Sequence, residues 1–328
     1  MTTPNEIDSQ SSAWKHRLFG LLQWTLIFGC FLYAVWELDF ASFLESIKGY
    51  NLVAVMIATL LNFVGYLALS KRLINLLGGR INFLVAVVGT IVGQGVNNIL
   101  PAKLGEGVKM WFIARESREP APLILTAIFW ERFFDLNILL LLGFLIVLGS
   151  DSTFSIGSFS LLVLGLWFFL IVTRHRPAWV MGMIQWVPVA AVREFLLQIT
   201  QYLSQGLSGR NVVNGSFWSV VLWLQYVTQV TVILLWAAEM DLSLTAILVI
   251  FVVSGIGMNL AASPGGLGVY EAAIVVSASW FDVSRENALA AAIVLHFVQY
   301  VPSCVIGLFL MSQFNINLKD FRTKTAKD

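Results

Sequence analysis

Apolar residues fall in blocks long enough to cross a bilayer, which takes about 20 residues per helix, at roughly 18–36, 51–70, 121–148, 156–173, 214–238 and 287–312. These six blocks predict full helical spans. Two further blocks, 81–118 and 243–281, begin apolar and break near their middles. Pro101, Gly105 and Gly107 interrupt the first, and Pro264, Gly265, Gly266 and Gly268 the second. Neither reads as one continuous helix, because proline removes a backbone donor and glycine weakens the helix interior. Residues 177–213 are less apolar: Arg193, Glu194, Gln198, Gln201 and Gln205 are set among Phe195, Leu196, Ile199, Tyr202, Leu203 and Leu207. That pattern predicts a helix lying at the membrane interface. The expected fold is an all-α polytopic membrane protein, with one transmembrane domain over 18–312 between tails 1–17 and 313–328.

Composition agrees with the pattern. Hydrophobic residues make up 58% of the chain and charged residues 12%, with a mean hydropathy of +0.81. A soluble domain carries about 25% charged residues. The net charge of +1 gives no reason to expect nucleic acid as a partner. Cys30 and Cys304 each lie inside an apolar run, and the histidines are scattered at 16, 175 and 296, so neither a disulfide framework nor a metal site is expected. Phosphate-loop, dinucleotide, metalloprotease and serine-elbow motifs are absent. The chain is therefore not expected to be an enzyme, and no catalytic residue or cofactor is assigned.

Charge placement sets the topology, because Lys and Arg gather in cytoplasmic loops. Lys15 and Arg17 put the amino terminus inside, and Lys71, Arg72 and Arg80 follow the second span as an inside loop. If 81–118 crossed once, Lys103, Lys109, Arg115, Arg118, Arg174, Arg176, Arg193 and Arg210 would all lie outside. A hairpin that enters and returns keeps them inside. A second hairpin over 243–281, entering from the other face, also keeps Lys319, Arg322, Lys324 and Lys327 inside. Only Lys48 and Arg285 are then external, with Arg132 inside a span. Both termini are expected in the cytoplasm.

The two breaks share a wording: Pro101-Ala102-Lys103-Leu104-Gly105 and Pro264-Gly265-Gly266-Leu267-Gly268. Each follows an amide-bearing apolar helix (Asn97 and Asn98; Asn259), and each precedes an acid, Glu106 or Glu271. With opposite entry faces this predicts an inverted repeat whose discontinuous helices meet near the midplane. Broken backbone at that depth must be buried in protein or line a polar cavity.

Charges inside spans are costly and mark function or pairing. Glu131, Arg132 and Asp135 lie deep in the block beginning at Ala121, with Glu131 and Asp135 on one helical face and Arg132 within reach of Asp135. Two readings stand: an Arg132–Asp135 pair that fixes helix register, or Arg132 meeting a headgroup phosphate while Glu131 orders the broken hairpin or meets an amine. Lys103 and Lys109, with Glu106 between them, either draw an anionic headgroup to the helix start or form an interfacial charge cluster. Glu271 either caps a helix start or joins the site. His296 reads first as a satisfied packing residue. Gln94, Asn97, Asn98, Asn62 and Asn137 read as interhelical hydrogen-bonding groups.

Three segments in order carry a resemblance: Gly93 to Lys109 (GQGVNNILPAKLGEGVK), Glu131-Arg132-Phe133-Phe134-Asp135, and Ser263 to Ala272 (SPGGLGVYEA). They resemble the lysylphosphatidylglycerol synthase transmembrane region family, flippase-like proteins related to the membrane half of the multiple peptide resistance factor, over roughly residues 15–315. The resemblance implies translocation of a phosphate-bearing lipid in the cytoplasmic membrane. The cargo is expected among anionic or aminoacylated phospholipids or polyprenyl-phosphate sugars. No synthase domain is expected after the last span, so a separate synthase or glycosyltransferase is an expected partner, and relatives suggest a homodimer. The alternative is a non-transporting scaffold for such an enzyme, docked through 177–213.

Overall fold

Helix formation runs past the second apolar block, where Arg72 finds a partner inside the protein. The computed structural model describes residues 25, 28–100, 104–148, 154–260 and 263–316. The first helix, α1, is described over 28–35, so most of the expected span 18–36 lies outside the described residues. Then follow α2 (Phe40–Lys48), α3 (Leu52–Leu76), α4 (Phe83–Ile99), α5 (Leu104–Ser117), α6 (Ala121–Leu148) and α7 (Phe154–His175). The second half has α8 (Pro177–Ile184), α9 (Ala190–Gln205), α10 (Gly209–Thr231), α11 (Leu244–Leu260), α12 (Val269–Ser279) and α13 (Arg285–Gln313). Among the described residues, three helical stretches are long and apolar enough to cross a membrane: Leu52–Leu76, Gly209–Ala237 and Arg285–Gln313. Directly after α10, Val232–Ala237 wind as a π-helix.

Side-chain caps start several helices. The Asn51 side chain accepts from the Val53 and Ala54 amides at α3, Asn82 from Val85 at α4, and Ser208 from Asn211 at α10. Leu52, Leu60 and Phe63 on α3 and Phe297, Val305 and Phe309 on α13 are left exposed, an apolar outer surface suited to lipid.

Both broken blocks fold as helix, break, helix, with the two arms packed together. In the first hairpin α4 lies on α5, and a Cβ on Gly105 would overlap the Gly93 carbonyl, so glycine sets the closeness of the arms. In the second, α11 and α12 pack around a short 3-10 turn, Pro264–Gly266. Gly265, Gly266 and Gly268 take φ of 54°, 80° and 82°, the left-handed region that glycine enters without Cβ strain. Each hairpin sits in its own apolar cluster: Val85, Val92, Val108, Phe112, Ile124 and Ile128 around the first, Ile247, Ile250, Ile274, Leu289 and Leu295 around the second. The clusters are bridged by α4, which packs on α13 and also touches the second break.

Small residues permit that bridge. A Cβ on Gly95 would come within 2.7 Å of the Ser303 carbonyl, and the Asn98 Nδ2 donates to Ser303 Oγ at 2.7 Å. Pro302 lies inside α13 and cannot donate to the Val298 carbonyl one turn back. The Asn62 amide on α3 donates to that carbonyl instead, at 2.9 Å.

Two expectations need correction. Residues 177–213 form two short helices, α8 and α9, packed against α6 and α7, with 209–213 already in α10. Pro188 and Val189 precede α9, and Pro188 has no amide hydrogen with which to continue α8. Arg72 does not lie in a loop, because α3 continues to Leu76 and buries it completely.

Candidate functional site

The cytoplasmic-side loop expected after residue 70 is instead two more turns of α3. Leu69, Arg72, Leu73 and Leu76 share one helical face, and all are buried. Arg72 therefore points into the bundle, where it clamps Asp135 with Nη1–Oδ1 at 2.6 Å and Nη2–Oδ2 at 3.2 Å. Such a two-pronged geometry is what a guanidinium supplies and an ammonium does not. Ser219 Oγ accepts from the same Nη1 at 3.0 Å, and Trp223 Nε1 donates to Asp135 Oδ1 at 3.1 Å, so α10 closes the far side.

One turn earlier on α6, Glu131 receives the Lys109 ammonium at 2.6 Å and lies 3.8 Å from Arg72 Nε. Arg132, the next residue, pairs with Glu106 and more loosely with Asp135, at 3.4 Å. Glu106 and Lys109 are one turn apart on α5, so this face of the first hairpin meets Glu131 and Arg132 on α6 in two opposite-sign pairs. Glu106 also sits in the first turn of α5, where a carboxylate complements the helix dipole.

The cluster joins three cations, Arg72, Lys109 and Arg132, to three carboxylates, Glu106, Glu131 and Asp135. Its charge is balanced, and burial decides which members can meet a ligand. Arg72, Lys109 and Glu131 are buried, whereas the Arg132 side chain is 57% exposed. Glu106 Oε2 and Glu131 Oε1 are enclosed without a hydrogen-bond partner. Lys109 is buried, with its ammonium held by Glu131. Arg132 does not serve Asp135 first, because Arg72 already holds that carboxylate.

Around the second break the polar groups form a separate group. Glu271 Oε2 accepts the Gly268 amide at 2.7 Å, and Glu271 Oε1 meets His296 Nδ1. His296 Nε2 faces the Gly265 carbonyl at 3.2 Å, and Tyr300 donates to the Pro264 carbonyl at 3.3 Å. Glu271 is therefore a helix cap, and neither it nor His296 joins the Arg132 cluster. In the first hairpin Asn97 Oδ1 accepts the Gly105 amide at 2.7 Å, while Gln94 lies half-buried on α4. Asn137 accepts from Trp167 at 3.0 Å and so ties α6 to α7. Pro101, Lys103 and the side chain of Asn259 lie outside the described residues.

The family model described as the lysylphosphatidylglycerol synthase TM region matches residues 20–307. The chain belongs to this family. A UPF0104 membrane protein of Methanothermobacter thermautotrophicus is similar at 22% identity over 255 residues, covering 70% of this chain and 75% of the relative.

For this member of the lysylphosphatidylglycerol synthase TM region family, charge separates two candidate places for an anion. A cavity of about 600 Å3 near the start of α3 is lined by Glu45, Glu239 and Glu286 beside Tyr50, Ser42 and Asn287. Three carboxylates repel a phosphate. The cluster at the other end of α3 holds the only guanidinium that is both exposed and built into a buried polar network among the described residues, Arg132.

Arg72, Ser219 and Trp223 were not marked by sequence reasoning. Hydropathy ended the second span at residue 70 because Lys71 and Arg72 follow. The continuing spacing of Leu69, Leu73 and Leu76 was the available signal that Arg72 faces inward.

Proposed function

We propose that this protein translocates a phosphate-bearing lipid headgroup across the membrane, with Arg132 as the group that receives the phosphate. The observation that carries the reading is Arg132 itself, a largely exposed guanidinium anchored on Glu106 at the edge of a buried, charge-balanced cluster. A phosphate crossing a low-dielectric interior without such a partner faces a prohibitive desolvation cost. An arriving phosphate competes with the Glu106 carboxylate for the planar fork of Arg132. Arg72, Lys109, Glu131 and Asp135 act one layer deeper and hold α3, α5, α6 and α10 around it, while the acyl chains stay in lipid.

The reading includes six spans, two re-entrant hairpins related as an inverted repeat, and both termini in the cytoplasm of an inner-membrane protein. Cargo is drawn from anionic or aminoacylated phospholipids and polyprenyl-phosphate sugars, with a separate synthase or glycosyltransferase supplying or consuming it, and the protein acting as a homodimer. No chemical step is assigned to the chain, so it works as a transporter and not as an enzyme.

The test is headgroup translocation in proteoliposomes, comparing fluorescent anionic, zwitterionic and aminoacylated phospholipids with a short polyprenyl-phosphate sugar. One lipid class should move with wild type. Arg132→Gln should slow it roughly 10- to 100-fold, the effect of losing one charge-assisted hydrogen bond. Failure of well-folded wild type to move any of these lipids would overturn the reading and favour the scaffold alternative, for which capture of the partner enzyme is the next measurement.

A further inference from the structure

The second break is held by groups whose protons can be counted. The Gly265 carbonyl can only accept, so the His296 Nε2 that faces it at 3.2 Å carries a hydrogen. The other ring nitrogen, Nδ1, meets Glu271 Oε1. An ionised carboxylate also only accepts, so this second contact requires a further proton, on the ring or on the carboxyl. Glu271's remaining oxygen is occupied by the Gly268 amide at 2.7 Å. The pair is neutral with that proton in place, and both side chains are buried. Without it, a carboxylate oxygen and a nitrogen lone pair face each other where little water can come between them. Two acceptors in contact repel, and the closed break loses the group that ties α12 and Gly265 to α13.

We propose that Glu271 and His296 form a proton-binding site, and that the bound proton holds the break of the second hairpin closed against α13. Opening the break separates the pair, so opening and proton release are linked, and by reciprocity a lower proton activity favours opening.

The surroundings leave the pair to set this equilibrium. Glu271 and His296 pair with each other and with no third charged side chain among the described residues. Helices α4 and α11, packed against the break, contain no acidic, basic, cysteine or tyrosine residue. The titratable neighbours are Tyr270, with its ring 4.9 Å from the imidazole, and Tyr300 at 4.2 Å, beyond which lies Cys304. On α3, Tyr66 faces Cys304 and not the pair. The first hairpin is fastened by the Asn97 amide, which carries no titratable proton. It serves as the internal control.

The inference concerns the hairpin and not its cargo, so it stands whether or not lipid is moved. The test is hydrogen–deuterium exchange of the full chain in nanodiscs from pH 5 to 10, corrected for the intrinsic pH dependence of amide exchange. Residues 263–272 should lose protection in one single-proton step, by at most about tenfold per pH unit as the closed form gives up its proton, and should level off at higher pH. Residues 97–108 should show no such step. His296→Gln keeps an amide donor for the Gly265 carbonyl and Glu271→Gln keeps an acceptor for the Gly268 amide, so both variants should fold and both should lose the pH step. Flat protection of 263–272 in wild type, or a step that persists in both variants, would overturn the proposal.

Discussion

The two hairpins have the same plan and opposite fastenings. In the first, the two arms are joined beside the break by a neutral amide, Asn97 to Gly105, and charge is placed further along, where Glu106 and Lys109 pair with Arg132 and Glu131 on α6. In the second, the break is joined to a different helix, α13, by an acid, a histidine and a tyrosine acting directly on the turn. Charge in the first hairpin fixes a helix face against its neighbours and leaves Arg132 open. Charge in the second is spent on the turn itself. The same chain motif can thus be fastened along a helix face or directly at its turn, and the partner helix decides which.

The largest effect should come from breaking the charge layer of the first hairpin. Glu131→Leu strands Lys109 and weakens the setting of Arg72, and removing one partner of a buried pair costs about 3–5 kcal/mol. The melting temperature in detergent should drop sharply, and adding Lys109→Met should recover a large part of the loss. Glu271→Gln should cost less, because an amide still serves the Gly268 cap. Equal losses for the two would remove the distinction between the hairpins.

Gly105→Ala and Gly265→Ala probe the close approaches. A Cβ at 105 meets the Gly93 backbone, whereas at 265 it meets the Tyr300 hydroxyl. Both substitutions should destabilise by about 1–3 kcal/mol through overpacking. Adding Tyr300→Ala should partly rescue Gly265→Ala, measured by thermal stability, while the backbone clash at 105 has no side chain to trim.

Asn62→Leu leaves the Val298 carbonyl without the donor that Pro302 cannot supply, at about 1–3 kcal/mol for an unmet buried group. Pro302→Ala should repair it by restoring the helical amide, and a double variant no more stable than Asn62→Leu would show that the pairing is incidental.

The smallest effect lies outside the spans. Asp39 caps α2, and its hydrogen bonds from Ser42 and the Ala41 amide hold its carboxyl below the ordinary range. A lowered carboxyl stabilises the folded form above its unfolded value of about 3.9 and loses that contribution as the pH falls through the lowered value. Exchange of the first α2 amides should therefore rise at acidic pH in wild type, and Asp39→Ala should show the raised exchange at every pH.

Much of the architecture was legible because the bilayer imposes simple lengths. Leu52–Leu76, Gly209–Ala237 and Arg285–Gln313 each cover a predicted apolar block to within a residue, and both Pro/Gly breaks interrupt helices where the pattern placed them. Span ends were less legible: a charged residue stops a hydropathy window but does not stop a helix that has a buried partner for it, as Arg72 does in Asp135. The stretch 177–213 was legible as helical but not in its division, since its periodicity resembles one helix while Pro188 divides it.

The sequence by itself determined which segments are helical and apolar, where the backbone must break, and that Glu131, Arg132 and Asp135 need partners at depth. Only the tertiary structure decided who those partners are. Pairing depends on which helices lie side by side, and packing of α3, α5, α6 and α10 gives Lys109 to Glu131 and Arg72 to Asp135, leaving Arg132 as the open cation. It likewise brought His296 from α13 to Glu271 and Gly265, a contact between residues 25 and 31 positions apart that no local spacing encodes.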